Sequence, residues 1–158
     1  MDNNQIFTAI LFAIAIIFFY RNWKNSRAAV EHIKEGQAFL AENGKREGVI
    51  TTKSGLQYEV IEPGTGDVHP TLSSQVTAHY HGTLIDGTVF DSSVERGDAI
   101  IFKVKQVIRG WQEGLQLMVA GEKVRLYVPY NLAYGKRGIG KVPPGSVLIF
   151  DVLLINVK

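Results

Sequence analysis

The sequence predicts an α+β chain in which a hydrophobic N-terminal helix and a helical stalk precede a twisted antiparallel β-sheet wrapped around one short α-helix. Three observations carry this expectation. The run from Ile6 to Tyr20 is apolar or aromatic at every position except Thr8. From Leu56 onward, apolar and polar residues alternate at period two between turn residues, the pattern of half-buried strands. Only Gly110 to Met118 breaks that alternation, with Trp111, Leu115 and Met118 falling on one face of a helix.

Residues 1–24 read as a transmembrane anchor, because Arg21, Trp23 and Lys24 follow the apolar run where a helix would leave the hydrocarbon layer. A cleaved signal peptide is the rival reading. Asp2, the lack of an early Lys or Arg and the lack of a small-x-small site favour an uncleaved anchor. Positive charge lies on the C-terminal side, at Arg21, Lys24 and Arg27, which places the globular domain in the cytoplasm, with the periplasm as the alternative. Residues 25–48 form a helical connector whose stripe of Ala29, Ile33 and Leu40 is interrupted by Gly36 and stopped by Asn43-Gly44. The stripe is thin, so the connector reads as solvated, with a homodimer through the stalk as the other possibility.

Residues 49–158 form the globular domain. Leu56, Tyr58 and Val60 alternate with polar residues before Glu62-Pro63-Gly64-Thr65-Gly66 forces a turn. Val76, Ala78 and Tyr80 alternate with Thr77, His79 and His81, and Asp86-Gly87 marks a hairpin before Val89-Phe90-Asp91. Further strands are expected over Ile100 to Val104, Lys123 to Val128 and Ser146 to Val157.

Composition narrows the chemistry. Seventeen Lys and Arg against fifteen Asp and Glu leave no electrostatic case for a nucleic-acid partner. The lack of cysteine removes disulfide scaffolds, thiolate metal sites and cysteine nucleophiles. His79 and His81 share a strand face but have no third ligand at a suggestive spacing, so no metal is expected and both read as hydrogen-bonded strand histidines. There is no nucleophile elbow, P-loop or dinucleotide fingerprint, and no cofactor is implied. The glycines of Gly135 to Gly140 precede Pro143-Pro144 instead of opening a helix, which reads as a flexible lip.

What remains is a density of aromatic residues beside turns, Tyr80, Phe90, Trp111, Tyr134 and Phe150, with the carboxylate of Asp91 directly after Phe90. Singly, each ring reads as core. Jointly, Tyr80-His81-Gly82, Gly87-Thr88-Val89-Phe90-Asp91-Ser92-Ser93, Val107-Ile108-Arg109-Gly110-Trp111, Leu132-Ala133-Tyr134-Gly135, Pro143-Pro144 and Leu148-Ile149-Phe150-Asp151-Val152 resemble, in order and spacing, the signatures of FKBP-type peptidyl-prolyl cis/trans isomerases. The resemblance covers Lys53 to Lys158. Gly36 to Gly48 also resembles the connector of the bacterial macrophage-infectivity-potentiator type, and the hydrophobic N-terminus lies outside the match.

The resemblance implies an FKBP-like fold and a bacterial peptidyl-prolyl isomerase; joined to the anchor read from the apolar run, it leads to the expectation of a single-pass inner-membrane protein that assists folding near the membrane. It implies that Trp111 floors a pocket whose walls are Tyr80, Phe90, Val107, Ile108 and Phe150. The Ile108 N–H and the Tyr134 hydroxyl would hold substrate carbonyls, with Asp91 and Arg96 at the rim. Ile100 and Val142 complete the implied substrate-binding set, and Asp91, Tyr134 and Ile108 the implied catalytic set. Three departures from the family pattern bear on specificity and macrolide affinity: Ile100 where an aromatic is common, Gln106 where a Glu is common, and a short loop from Lys136 to Val142 with Ile139 near a frequent His. The partners implied are X-Pro-containing proteins or peptides and macrolide inhibitors. The competing reading is a non-catalytic module that grips Pro-containing segments as a chaperone or tether.

Overall fold

The structure, a computed structural model, describes residues 3–158. Where the sequence suggests an anchor and a separate stalk, it places one unbroken helix, α1, over Asn3–Asn43. Asn43 and Gly44 stop the helix as expected, and the stop is tied to the domain. The Gly44 N–H donates to the Leu40 carbonyl at 2.9 Å. The buried Asn43 amide donates to Gln57 Oε1 at 2.8 Å, and Gln57 Nε2 donates back to the Leu40 carbonyl at 2.8 Å. These buried amides are therefore mutually satisfied, which removes the desolvation cost of burying them.

The second half of α1 is not a solvated connector on every side. Ala29, Gly36 and Asn43 lie along one stripe, and that stripe packs on the globular domain. Gly36 is what permits the approach: a β-carbon there would lie 2.6 Å from Cγ2 of Val147. His32 Nδ1 sits 2.8 Å from the Pro144 carbonyl, so this nitrogen carries the proton and donates.

The chain then forms β1 (Ile50–Thr51), β2 (Gln57–Glu62), β3 (Gln75–Leu84), β4 (Val89–Ser92), the single-turn helix α2 (Ser93–Arg96), β5 (Ile100–Lys103), α3 (Arg109–Leu117), β6 (Lys123–Val128) and β7 (Leu148–Val157). All strand pairings are antiparallel, in the order β1-β2-β6-β7-β3-β4, with β5 also paired to β3. The period-two reading holds at β3, where Val76, Ala78 and Tyr80 are buried, and at β7, where Leu148, Phe150, Val152 and Leu154 are buried. The strand expected from Ser146 starts at Leu148, and the helix expected over Gly110 to Met118 begins and ends one residue earlier, with Met118 buried as its cap. Two short elements escape the pattern. β1 is too brief to show a period, and α2 depends on a cap.

The core lies between the concave face of the sheet and α3, where Leu56, Leu115, Leu126, Leu148, Val152 and Leu154 are fully buried. α3 rides unusually near β6 because two of its inward positions are glycines. A β-carbon at Gly110 would lie 2.4 Å from Cγ1 of Val128, and one at Gly114 would lie 2.8 Å from Cδ1 of Leu126.

The expected membrane anchor is overturned. Residues 1–2 lie outside the described residues, and among the described residues no helix is long and apolar enough to cross a membrane. The physical reason is length. At about 1.5 Å per residue the run from Ile6 to Tyr20 rises roughly 22 Å, against about 30 Å of hydrocarbon, and the same helix continues into polar sequence. The single-pass placement in the inner membrane, and the cytoplasmic side argued from flanking charge, fall with it.

The Gly110 contact makes a prediction. Replacing Gly110 with Ala gains at most about 1 kcal/mol of helix propensity, while forcing a methyl into stiff, buried Val128 costs roughly 1–3 kcal/mol. Gly110→Ala is expected to lower the urea midpoint with an unchanged denaturant slope; a midpoint equal to or above the parent's would mean that α3 can lift off β6 freely.

Candidate active site

One hollow of about 310 Å³ opens at the edge of the core where β3, β4, β7 and α3 meet. Its floor is Trp111, which projects from the first turn of α3 and is only 4% exposed. Tyr80 and Phe150 meet the indole edge-on, with ring centroids 5.4 and 5.2 Å away, and Phe102 tilts against it at 5.8 Å. These are the favoured offset and T-shaped geometries of aromatic packing. The indole Nε1 is buried without a hydrogen-bond partner among the described residues, and the floor around it is lined by rings.

The walls depend on a gap in β3. The inward row runs Val76, Ala78, Tyr80, Gly82, and Gly82 sits opposite Phe150 on β7 and Asp91 on β4. A β-carbon at Gly82 would stand 2.7 Å from Cζ of Phe90 and 3.1 Å from Cε1 of Phe150. The missing side chain is thus the space in which the Phe90 and Phe150 rings meet, edge to face, at 5.4 Å. Ile100, Val107 and Ile108 complete the apolar wall.

The polar groups gather at the rim. Tyr80 donates its hydroxyl proton to Asp91 Oδ2, Arg96 donates to Asp91 Oδ1, and Arg96 Nη2 also donates to the Tyr80 oxygen at 3.0 Å. Burial alone would raise the Asp91 carboxyl, but the Tyr80 and Arg96 hydrogen bonds and the Arg96 charge outweigh it and hold it below the ordinary carboxylate range. Burial and the bond to Asp91 push the Tyr80 hydroxyl up. Tyr134 lies across the opening, 38% exposed, its hydroxyl raised by burial and by the negative charge of Asp91. No protein group among the described residues bonds to that hydroxyl. Ile108 caps α3 with its carbonyl, which accepts from the Trp111 and Gln112 N–H groups at 3.0 Å, and its own N–H has no acceptor among the described residues. Gln112 Nε2 holds this segment by donating to the Val107 carbonyl at 2.9 Å.

Most of the residues singled out in the sequence therefore come together. Tyr80, Phe90, Asp91, Ile100, Val107, Ile108, Trp111, Tyr134 and Phe150 line the hollow, and Arg96 reaches its rim from α2. Val142 does not line it; that side chain is buried in the core cluster, beneath the lip. Gln106 does line it and was noted in the sequence only as a departure from the family pattern. Sequence reasoning also missed the serines behind the rim. Ser92 Oγ caps α2 by accepting the Glu95 N–H at 3.2 Å, and lies 3.0 Å from His81 Nδ1. Ser93 Oγ, fully buried, accepts the Tyr80 N–H at 2.8 Å and lies 2.9 Å from His79 Nδ1. The Ser-x-x-Glu spacing from Ser92 to Glu95 is a helix-start signature and was the available signal. The two histidines are thus hydrogen-bonded on their strand, where they orient the serines that aim α2 and Arg96.

A larger hollow of about 520 Å³ beside α1 carries a single ring, Tyr130, and one of about 600 Å³ is a ring-lined strip on the exposed part of α1 with no residue from the sheet or α3. Comparison with known proteins agrees with the geometry. The profile of a family described as FKBP-type peptidyl-prolyl cis-trans isomerase matches residues 66–155, and that of the domain amino terminal to such isomerases matches residues 9–60. The likeness thus extends into the apolar stretch of α1, further than the sequence motifs carry it. The chain is 50% identical over 135 residues to the FKBP-type isomerase FkpA of Aeromonas hydrophila, covering 85% of this chain and 50% of that protein. It is 47% identical to the outer membrane protein MIP of Legionella longbeachae over 87% of this chain and 59% of that one. This chain spans about half the length of the curated relatives it matches. The crystal structure of FkpA from Escherichia coli superposes over 100% of this chain and 74% of its own, with a TM-score of 0.92 at 37% identity. With ordered motifs, sheet order and ring-lined hollow all in agreement, the chain belongs to the FKBP-type peptidyl-prolyl cis-trans isomerase family, alongside the bacterial FkpA and Mip proteins.

Proposed function

We propose that this chain accelerates cis/trans rotation about X-Pro bonds in protein clients, using the hollow over Trp111. The observation that carries the reading is an aromatic floor that meets, at one opening, Tyr134 and Ile108, whose hydroxyl and N–H have no hydrogen-bond partner among the described residues. Amide resonance leaves a rotation barrier of roughly 18–20 kcal/mol, and the bond turns over in tens to hundreds of seconds unaided. A turnover of about 100 per second needs roughly 5–6 kcal/mol of preferential transition-state binding, at about 1.4 kcal/mol per tenfold.

No bond has to break, so no nucleophile is needed. The rings of Tyr80, Phe90, Trp111 and Phe150 hold the pyrrolidine and exclude the water that stabilises the planar, polar amide. Ile108 and Tyr134 donate to client carbonyls on either side. Asp91 acts through its field on the twisted amide, kept anionic and aimed by Tyr80 and Arg96. Ile100 and Gln106 shape the wall and modulate macrolide affinity. In this reading the isomerase domain begins near residue 49 and α1 serves as its handle. The seam of a homodimer lies not on the stalk but on the exposed rings of one face of α1 ahead of it, Phe12, Phe19, Tyr20 and Trp23.

Magnetisation-exchange NMR on an Ala-Leu-Pro-Phe peptide with the 158-residue chain tests the activity. Catalysis suppressed by a macrolide competitor is expected; binding with no exchange would favour the holding module instead. Asp91→Ala is expected to lower the exchange rate about tenfold to a hundredfold. Its melting temperature should stay within a few degrees, because the Asp91–Arg96 pair is about half exposed and such pairs contribute little. An unchanged rate in the folded variant would remove Asp91 from the mechanism.

The pH profile follows from the directions of the shifts. Asp91 is depressed, so its contribution is complete above the unfolded carboxylate value of about 3.9 and is lost only as pH falls through the lower folded value. Tyr134 is raised, so it stays a donor past its ordinary pKa of about 10. The ratio kcat/KM should be flat from about pH 5 to pH 9; an acid limb near pH 6.5 would move the critical group to a histidine. For the seam, sedimentation should report a dimer that Phe12→Glu/Phe19→Glu converts to a monomer, and a parent chain that is monomeric at micromolar concentration would remove it.

A further inference from the structure

A second groove, of about 520 Å³, runs between α1 and the turn that carries Tyr134. Val30 and Ile33 of α1 form its apolar side, with Val30 exposed, and Tyr130, Gln37, Lys34 and Lys136 supply its polar groups. No carboxylate lines it. Glu35 falls opposite the groove-facing positions of α1, while Glu31, three residues before Lys34, borders the groove without lining it. Lys136 is followed by Arg137 and Lys141 in the exposed loop that leaves Tyr134, the last residue of this segment to line the prolyl hollow. Among the described residues, none of Lys34, Lys136, Arg137 and Lys141 makes an ion pair, whereas Lys123 and Arg125 of β6, and Arg46 in the connection after α1, are each matched to a carboxylate. The groove and the hollow flank one turn, closed by the Gly135 N–H donating to the Tyr130 carbonyl at 2.8 Å.

We infer that this groove is an exosite for an acidic, extended stretch of the same client polypeptide whose prolyl bond occupies the hollow, so that the enzyme prefers X-Pro segments flanked by Asp or Glu. The inference rests on the isomerase reading for its second half only. An extended chain leaving the hollow over the lip meets unmatched positive charge first and an apolar shelf next, which suits acidic residues interspersed with small apolar ones. Each exposed pair contributes little by itself, but several acting together at low salt give a preference of about threefold to tenfold.

The test compares three peptides sharing one Leu-Pro core, with flanks of Glu-Ala, Gln-Ala or Lys-Ala repeats, placed on the N-terminal or the C-terminal side. The full chain and the K34E/K136E variant are both assayed. The ratio of kcat/KM for the Glu peptide to that for the Gln peptide should be about three to ten on one side of the proline. It should fall to one or below in K34E/K136E and collapse at about 0.5 M salt, where screening acts over a few ångströms. A ratio of one in the parent chain, or a preference that survives the double charge reversal, overturns the exosite. Absence of exchange with every peptide would instead fail the isomerase reading. The exosite is then judged on dissociation constants from chemical-shift titration of the same peptides, with the same ratio required.

Discussion

The close seating of α3 on the sheet is the constraint from which the rest follows. Gly110 and Gly114 let the helix axis come within contact of Val128 and Leu126, and this sets the depth at which Trp111 lies. With the indole at that depth, Tyr80, Phe102 and Phe150 can all reach it at ordinary ring-to-ring distances. A helix lifted by one methyl group would leave the same rings in place but open a gap beneath them, and interiors tolerate such gaps poorly.

Glycine plays the complementary part on the sheet. Gly82 removes one side chain from the inward row of β3, and the vacancy is filled by rings from both neighbouring strands. The hollow is therefore defined by an omission in one strand and two intrusions from others. Its polar rim has the same distributed origin. Asp91 is delivered by β4, Arg96 by a single helical turn, and the turn itself is held by Ser92 and Ser93 against His79 and His81. The rim is only as well aimed as that hidden set of hydrogen bonds.

α1 illustrates how an accurate local reading can mislead about place. An apolar run flanked by Arg and Lys carries the local features of a membrane anchor, yet it is the outer part of a helix that continues through Gly36 onto the domain. Its docking by His32 on Pro144 and by Gly36 on Val147 brings the helix beside Tyr130 and Lys136, which flank Tyr134 in the chain.

By itself, the sequence determined the sheet and the central helix, because period two and period 3.6 are local properties that survive any tertiary arrangement, while the rings of the hollow were legible through the ordered motifs that resemble the family. It also determined which carboxylate accompanies those rings, since Asp91 follows Phe90 directly. Only the tertiary structure decided that Val142 turns into the core while Gln106 faces the hollow, because neither position belongs to a periodic segment. It alone decided the pairing of Ser93 with His79, a contact between the start of α2 and β3 that no spacing encodes. The fate of the apolar N-terminus was decided there too. Burial, span and docking depend on what surrounds a helix, and a one-dimensional pattern records only what the helix is made of.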